Sequence, residues 1–427
     1  MSGSLLSTSL ISHPHSPNVM TQQIARYVSE GVDLAKAGKA LEVYNQVIQY
    51  SGNNSLPEKS HYAFGWIIYY ALHQAADSAI HLRKTMLARY LRLNVPKPHK
   101  LHSMILTQAL RLYKDAGTLS FNRGKEDVVR FSLIRFAELW DISNFRPGDW
   151  RRKEYEGKQL GSTVEKFITH YVDELTETST TPSPGFNRLI DDALAAFPDS
   201  HNILYQRGMV HIIEKNKADA IATLKKAVLL APTKHYLWYR LATLIDSGED
   251  LRLHISLLFK ALSSPGPEQF KGKIRIALAK AWAGAGIHKF ALHELMTVKR
   301  VYSLNGWHLS PEFNRILKSI PENTSPEDPE NAYRRAEPSA DSFIYDALTP
   351  LEVRKTYHKM PKEGETDKFG NAEIAWRVTD ENGGNFWFQP RRFGIDPQLP
   401  LGTSLLIKIY NGKIVKAELS PSIRKES

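Results

Sequence analysis

The chain has 427 residues, 42% of them hydrophobic, no cysteine and a formal charge of +11. That size supports a real core in two or three domains, and the missing thiols exclude a disulfide framework, a thiolate metal site and a cysteine nucleophile. The basic balance favours an acidic partner such as nucleic acid, the absent disulfides fit a cytoplasmic setting, and the longest apolar run, Ala63 to Leu72, is too short to span a membrane.

Residues 1–20 are rich in Ser and His and read as a disordered tail. Over 20–50, Ile24, Tyr27, Val28, Leu34, Leu41, Tyr44 and Val47 recur at helical spacing, and Gly52, Asn53, Asn54 and Pro57 then make a turn. Helices are expected over 60–92, 100–114 and 126–139, so 21–175 reads as an irregular helical region, either degenerate repeats or a separate cap. Within it, 78–114 carries no acidic residue but holds Arg83, Lys84, Arg89 and Arg92 among eight cations. These four are candidate phosphate contacts; the competing reading is an ordinary solvated face. Arg151, Arg152 and Lys153 form a second basic run. Residues 174–184 (ELTETSTTPSP) read as a linker, and Phe186 to Phe197 as a helix closed by Pro198.

The strongest pattern spans 186–318. Counting His201 as position 1, Leu204, Gly208, Ala220, Leu224, Ala227 and Pro232 stand at 4, 8, 20, 24, 27 and 32. Small residues at 8, 20 and 27 let two helices approach, large ones at 4 and 24 fill the gaps, and the proline stops the second helix. A second unit starts at His235 with Trp238, Leu241, Ala242, Leu258 and Ala261, though His254 takes the small position 20. A third, offset from Gly272, uses Leu278, Ala279, Trp282, Gly286, Ala291 and Leu295 and lacks the proline. The pattern resembles a tetratricopeptide repeat, a helical hairpin of about 34 residues. That resemblance implies binding of a protein or peptide partner rather than chemistry. It also implies a groove lined by first helices, here Asn202, Tyr205, Met209, Tyr236, Tyr239, Lys273 and Lys280, with Ile212, Thr243, Asp246, Ile276 and Ala283 at the remaining positions. The Lys/Asn set with which some of these domains clamp a terminal carboxylate is not reproduced.

Residues 319–341, rich in Pro, Glu, Asn and Ser, read as a linker closing the array. Beyond them the period changes to two: Ile374, Trp376 and Val378 alternate with Ala375, Arg377 and Thr379, a DENGGN turn follows, and Phe386 to Phe388 read as a second strand. Leu405 to Tyr410 and Ile414 to Leu419 flank Asn411 and Gly412 as a hairpin. A three-residue loop pairs Ile409 with Val415, Ile407 with Ala417 and Leu405 with Leu419. Tyr410 and the like-charged pair Lys408 and Lys416 are left on the opposite face, which makes sense if an anion covers them. Residues 342–421 resemble a small barrel of the OB or cold-shock type. The expected fold class is therefore mainly α: a tetratricopeptide-like solenoid of hairpins followed by a small all-β, barrel-like domain.

No phosphate-cradling loop, His-Glu-x-x-His or Gly-x-Ser-x-Gly occurs in the sequence. Asp191 and Asp192 point to different helix faces, and His13 with His15, or His99 with His102, read as solvated rather than metal-binding. No enzyme, cofactor or metal is expected. In the C-terminal domain Lys368, Phe369, Trp376, Arg377, Trp387, Arg391, Arg392, Phe393, Lys408, Tyr410 and Lys416 interleave rings with cations, the composition of a single-strand platform. Alternation places Trp376 in the core and leaves Trp387 exposed. The reading is a scaffold that takes a protein partner through its repeats and RNA or single-stranded DNA through the basic surface and β-domain. The alternatives are a pure protein–protein adaptor or a non-catalytic helper subunit of a nucleic-acid-directed defence or regulatory complex.

Overall fold

The computed structural model describes residues 17–51, 56–123, 131–359 and 374–420. The expected tail before Pro17, the turn at Gly52 to Asn54, the first residues of the expected helix at Glu126, and Lys368 and Phe369 lie outside the described residues. The chain divides into two compact units, 1–196 and 197–427.

In the first unit the expected helix over 20–50 is two helices, α1 (Pro17–Leu34) and α2 (Ala40–Ser51). Gly38, at φ 96°, turns the chain between them, a conformation open to glycine and costly for other residues. The stretch 60–92 likewise splits into α3 (His61–Gln74) and α4 (Ile80–Tyr90), followed by α5 (Lys100–Arg123) and α6 (Leu133–Leu139). A strand pair, β1 (Lys153–Tyr155) and β2 (Lys158–Leu160), interrupts the helices. Its turn residues Glu156 and Gly157 both have positive φ, the geometry of a tight hairpin. Helices α7 (Thr163–Thr178) and α8 (Pro184–Ala196) complete the unit.

Helix α7 takes the first half of the expected linker. Val172 and Leu175 continue the buried stripe of Val164, Phe167, Ile168 and Tyr171, so helical burial overrides the Ser/Thr composition. Buried Glu174 accepts the free N–H groups of Leu133 (2.6 Å) and Ile134 (3.2 Å), capping α6.

His102, expected at the surface, is buried. Its Nδ1 lies 2.8 Å from the Tyr90 hydroxyl and its Nε2 is 3.1 Å from the Pro96 carbonyl oxygen. The neutral ring fits if Nε2–H donates to Pro96 and Nδ1 accepts from Tyr90.

In the second unit three helical hairpins follow one another: α9 (His201–Ile213) with α10 (Lys217–Leu230), α11 (His235–Ala242) with α12 (Leu251–Ser263), and α13 (Gly272–Gly284) with α14 (His288–Leu304). The small positions act as read. A Cβ placed on Gly208 would sit 2.7 Å from Leu224 Cγ. Ala220, Ala227, Ala242, Ala261, Ala279 and Ala291 are fully buried. His254 bonds the carbonyl of Ile245 through Nδ1 (2.8 Å), so the bulk at the irregular position is used to hold the inter-helix loop. Without a stopping proline, α14 runs for 17 residues.

Helix α15 (Pro311–Lys318) follows, and then α16 (Glu330–Tyr345) occupies most of the expected linker. Pro338 inside α16 has no N–H, and it belongs to the Pro-rich composition that made 319–341 read as a linker. The helix survives because α12 supports its backbone at that point: Arg252 donates to the Arg335 carbonyl, Ser256 Oγ donates to the Glu337 carbonyl, and Ala340 N–H donates to Ser256 Oγ. Tyr333, Ala336, Ala340 and Ile344 form its buried stripe. Tyr333 donates to buried Glu294 (2.7 Å), whose other oxygen meets Arg275 at 2.5 Å, so the buried carboxylate is paired and hydrogen-bonded.

The chain ends in a curled five-stranded antiparallel half-barrel of β3 (Pro350–Lys359), β4 (Ala375–Asp380), β5 (Asn385–Phe388), β6 (Ser404–Tyr410) and β7 (Lys413–Leu419), ordered β5-β4-β3-β6-β7. After three hairpin-connected strands, β6 returns to lie beside the first, the Greek-key arrangement. Strand β3 was missed at the sequence level because Lys355 breaks its apolar alternation. Lys355 is in fact buried, its ammonium 4.1 Å from the Trp376 ring centre and donating to the Leu399 carbonyl (2.5 Å). Trp376 is fully buried with Val353, Val378, Leu405 and Ile407. Leu405 pairs with Leu419, Ile407 with Ala417 and Lys408 with Lys416, as expected, but Ile409 pairs with Ile414 rather than Val415. The loop is the two-residue Asn411-Gly412 turn, both φ positive, and a bulge restores the face alternation that this turn alone would upset.

Gly208→Val is expected to lower stability by about 1–3 kcal/mol through overpacking against Leu224, read as a lower urea midpoint. Burial holds the pKa of His102 below 6.5 despite opposing hydrogen bonds to backbone carbonyls. Burial lowers His99 and His235 in the same direction. With the folded pKa depressed, the unfolded chain takes up protons first, so stability falls as pH drops through about 6.5. Urea midpoints at pH 7.5 and 5.5 should show the loss, and His102→Leu should reduce its size.

Candidate partner and nucleic-acid surfaces

The array brings together most, not all, of the expected groove. Tyr236 donates to Asn202 Oδ1 at 3.0 Å and stands edge-on to Tyr205, ring centres 5.1 Å apart. Burial pushes its phenol up to about 12. Tyr239, Lys273 and Lys280 border a recess of about 590 Å³ that Ile212, Thr243 and Asp246 also line. Lys280 is 3.3 Å from Glu312 of α15, a carboxylate absent from the sequence-derived groove. Met209 and Ile276 are buried and belong to the core.

The acid-free segment is less available than its composition suggests. Arg83 is 1% exposed and bonded to Asp115 at 2.9 Å, with Asp77 at 3.7 Å. The two acids that bound the segment fold back onto it, and Arg111 pairs with Asp77 as well (2.8 Å). Arg83 is therefore a core ion pair rather than a phosphate contact. Lys84 and Arg89 are half-buried, and Arg92 is exposed. From the second basic run, Arg152 is bound to Glu165 at 2.7 Å.

Lys408 and Lys416 do have an anion over them, and the chain itself supplies it. Lys408 Nζ donates to the Tyr345 carbonyl (2.9 Å) and lies 3.6 Å from Asp346; Lys416 is 3.5 Å from Asp341 and 5.6 Å from the Tyr345 ring centre. The last turn of α16, with its free carbonyls and two carboxylates, faces the lysine pair. These residues hold the half-barrel to α16 and are not a free nucleic-acid contact. Asp341 also binds Lys260 of α12 (2.9 Å). Burial alone would lower the Lys260 pKa, but Asp341 and Glu337 outweigh it and raise it.

What the half-barrel leaves open is a row across three strands. Tyr357 of β3 stands opposite Arg377 of β4, which stands opposite Trp387 of β5. The rings are 47% and 53% exposed with centres 5.9 Å apart, and the guanidinium lies 5.5 Å from the Tyr357 centre. Tyr357 was missed because β3 was missed. Exposed Arg391 and Arg392 follow in the 3₁₀ turn Pro390–Phe393. Trp387, Arg392 and Tyr410 meet around a second recess of about 410 Å³.

A family model described as a domain of unknown function (DUF7017) matches residues 203–340. The similarity covers the three hairpins, α15 and most of α16, and stops before the half-barrel. No curated protein matches. Among the described residues no helix is long and apolar enough to cross a membrane.

Removing Asp341 takes one carboxylate from Lys260, which keeps Glu337 at 2.6 Å, and the nearer of two from Lys416. Asp341→Ala is expected to cost about 1–3 kcal/mol, whereas Asp346→Ala, which removes an exposed carboxylate 3.6 Å from Lys408, costs under about 1 kcal/mol. Urea unfolding of the two variants beside the parent separates them.

Proposed function

We propose that this chain is a non-enzymatic, cytoplasmic scaffold whose tetratricopeptide-like hairpins take a protein partner and whose C-terminal half-barrel, of OB type, contacts RNA or single-stranded DNA. The observation that carries the nucleic-acid half is the Tyr357–Arg377–Trp387 row, its two rings exposed and its guanidinium half-buried, with Arg391 and Arg392 following it. Two accessible rings flanking a guanidinium offer faces for bases, which stack without strong sequence preference, and cations for the backbone. The Greek-key order of five strands, open along one side, agrees with the OB reading. The partner half rests on the recess bordered by Tyr239, Lys273 and Lys280, formed from the first helices of two successive hairpins and joined by Glu312.

Labelled single-stranded RNA and DNA, titrated with the full chain across a salt series, test the first half. Affinity should fall steeply with rising salt as counterions are released, and Arg391→Glu/Arg392→Glu should weaken binding about tenfold or more. Absence of binding at low salt overturns this half and leaves the protein–protein adaptor.

A further inference from the structure

The second recess differs from the open row in depth and lining. It lies along the unclosed side of the half-barrel, bordered by edge strand β5 on one side and the β6–β7 hairpin on the other, and closed off by the α10–α11 turn at Leu229 to Thr233. Its volume, about 410 Å³, falls within the range of small-ligand sites. Rings supply much of the wall: Phe386, Trp387, Phe393 and Tyr410 all border it. Arg392 and Lys413 are exposed at its edge, and the lining includes no carboxylate among the described residues.

Four polar groups here are unspent among the described residues. Neither Arg392 nor Lys413 has an ion-pair partner among the described residues, in contrast to Lys408 and Lys416 nearby on the same hairpin. The Tyr410 hydroxyl and the Trp387 indole N–H have no hydrogen-bond partner among the described residues. Burial raises the Tyr410 pKa, so the phenol stays a neutral donor. Strand β5 is a sheet edge, and an edge strand presents backbone N–H and C=O groups on its free side. A site with ring faces, edge donors and acceptors, two free cations and no acid asks for a planar, hydrogen-bonding and anionic ligand.

We propose that this recess holds one nucleotide unit, its base between the rings of Trp387 and Tyr410 and its phosphate on Arg392 and Lys413. The proposal rests on the single-strand reading above and sharpens it: the Tyr357 row stacks bases on the open face, and the recess takes a single splayed nucleotide. An acidic peptide would satisfy the cations but leave the rings and strand edge without a complementary planar partner. The same chemistry has two sources, a free nucleoside monophosphate or a residue of a strand.

The full chain is titrated with UMP, with AMP and with labelled rU and dT oligomers, alone and in competition with an oligoglutamate. Tyr410→Ala/Lys413→Glu probes the recess and Tyr357→Ala the row, with circular dichroism confirming that each variant folds. The recess variant is expected to weaken oligomer binding about tenfold or more. Photocrosslinking of a 4-thiouridine oligomer to the unmodified chain should map to 386–393 and 410–415. If the monophosphates also bind and compete with the oligomers, the site takes free nucleotide; if only the oligomers bind, it takes strand, and both outcomes support the proposal. Oligomer binding that survives Tyr410→Ala/Lys413→Glu, with crosslinks elsewhere, overturns the recess and leaves the single-strand reading intact. Equal displacement by oligoglutamate shows a site of charge alone and also overturns it. No oligomer binding at low salt overturns both.

Discussion

Asp341 stands between two lysines that belong to different parts of the second unit. Lys260 comes from the middle hairpin, Lys416 from the last strand, and the carboxylate on α16 lies within 3.5 Å of both. Lys260 shares its half-buried position with Glu337 as well (2.6 Å), and Asp341 is the nearest carboxylate to Lys416. The arrangement requires α16 to remain a helix through Pro338, a residue that disfavours one. Ser256 makes this possible by acting as donor to one backbone group of α16 and acceptor for another. Helix α16 is thereby fixed to α12 along its middle and presents its carbonyl terminus to Lys408. The array and the half-barrel are thus held together through one polar seam, and the apolar stripe of Tyr333, Ala336, Ala340 and Ile344 gives that seam its cohesion.

The hairpins were legible because their signal is local. Gly208 and Leu224 meet across a turn of a few residues, and the spacing alone states which side chain must be small. The β-domain was half legible for the same reason: the Asn411-Gly412 turn and the apolar partners of Ile407 and Leu405 lie close in sequence. Helix α16 was not, since the groups that make its proline tolerable stand more than 80 residues earlier. Strand β3 failed differently. Lys355 sits on its buried face, and only the Trp376 ring and the Leu399 carbonyl, both distant in sequence, explain a lysine there. The register error at Ile409 shows the limit of face arguments: the turn and the core made incompatible demands, and a bulge satisfied both.

Charge was the most misleading guide to the sites. A stretch without acids looked like a free cationic face, yet Asp77 and Asp115 at its two ends are the counterions of Arg83 and Arg111. Two lysines directly opposite on a hairpin looked like half of an anion site, and the missing half was in the chain. Sequence distance conceals such pairs because a carboxylate thirty or seventy residues away contributes nothing to a local count. On the half-barrel, Arg391, Arg392 and Lys413 have no ion-pair partner among the described residues and lie beside the end of β5 and at the start of β7.

That clustering follows from how the half-barrel stops short of closing. A five-stranded sheet curled around Trp376 leaves β5 and β7 as edges, and exposed edges invite pairing with other chains. Here the 3₁₀ turn Pro390–Phe393 packs beside β7 and the α10–α11 turn stands across the opening, so a full additional strand has little room. The α10–α11 turn is itself held by the Trp238 indole, which donates to the Pro232 carbonyl at 2.7 Å. Pro232 was read in the sequence as a helix stop within a repeat. Its second consequence is to set one wall of the recess from within the array. Occupancy of the recess and the packing of the first two hairpins therefore share a residue, and a ligand seated there contacts both halves of the unit at once.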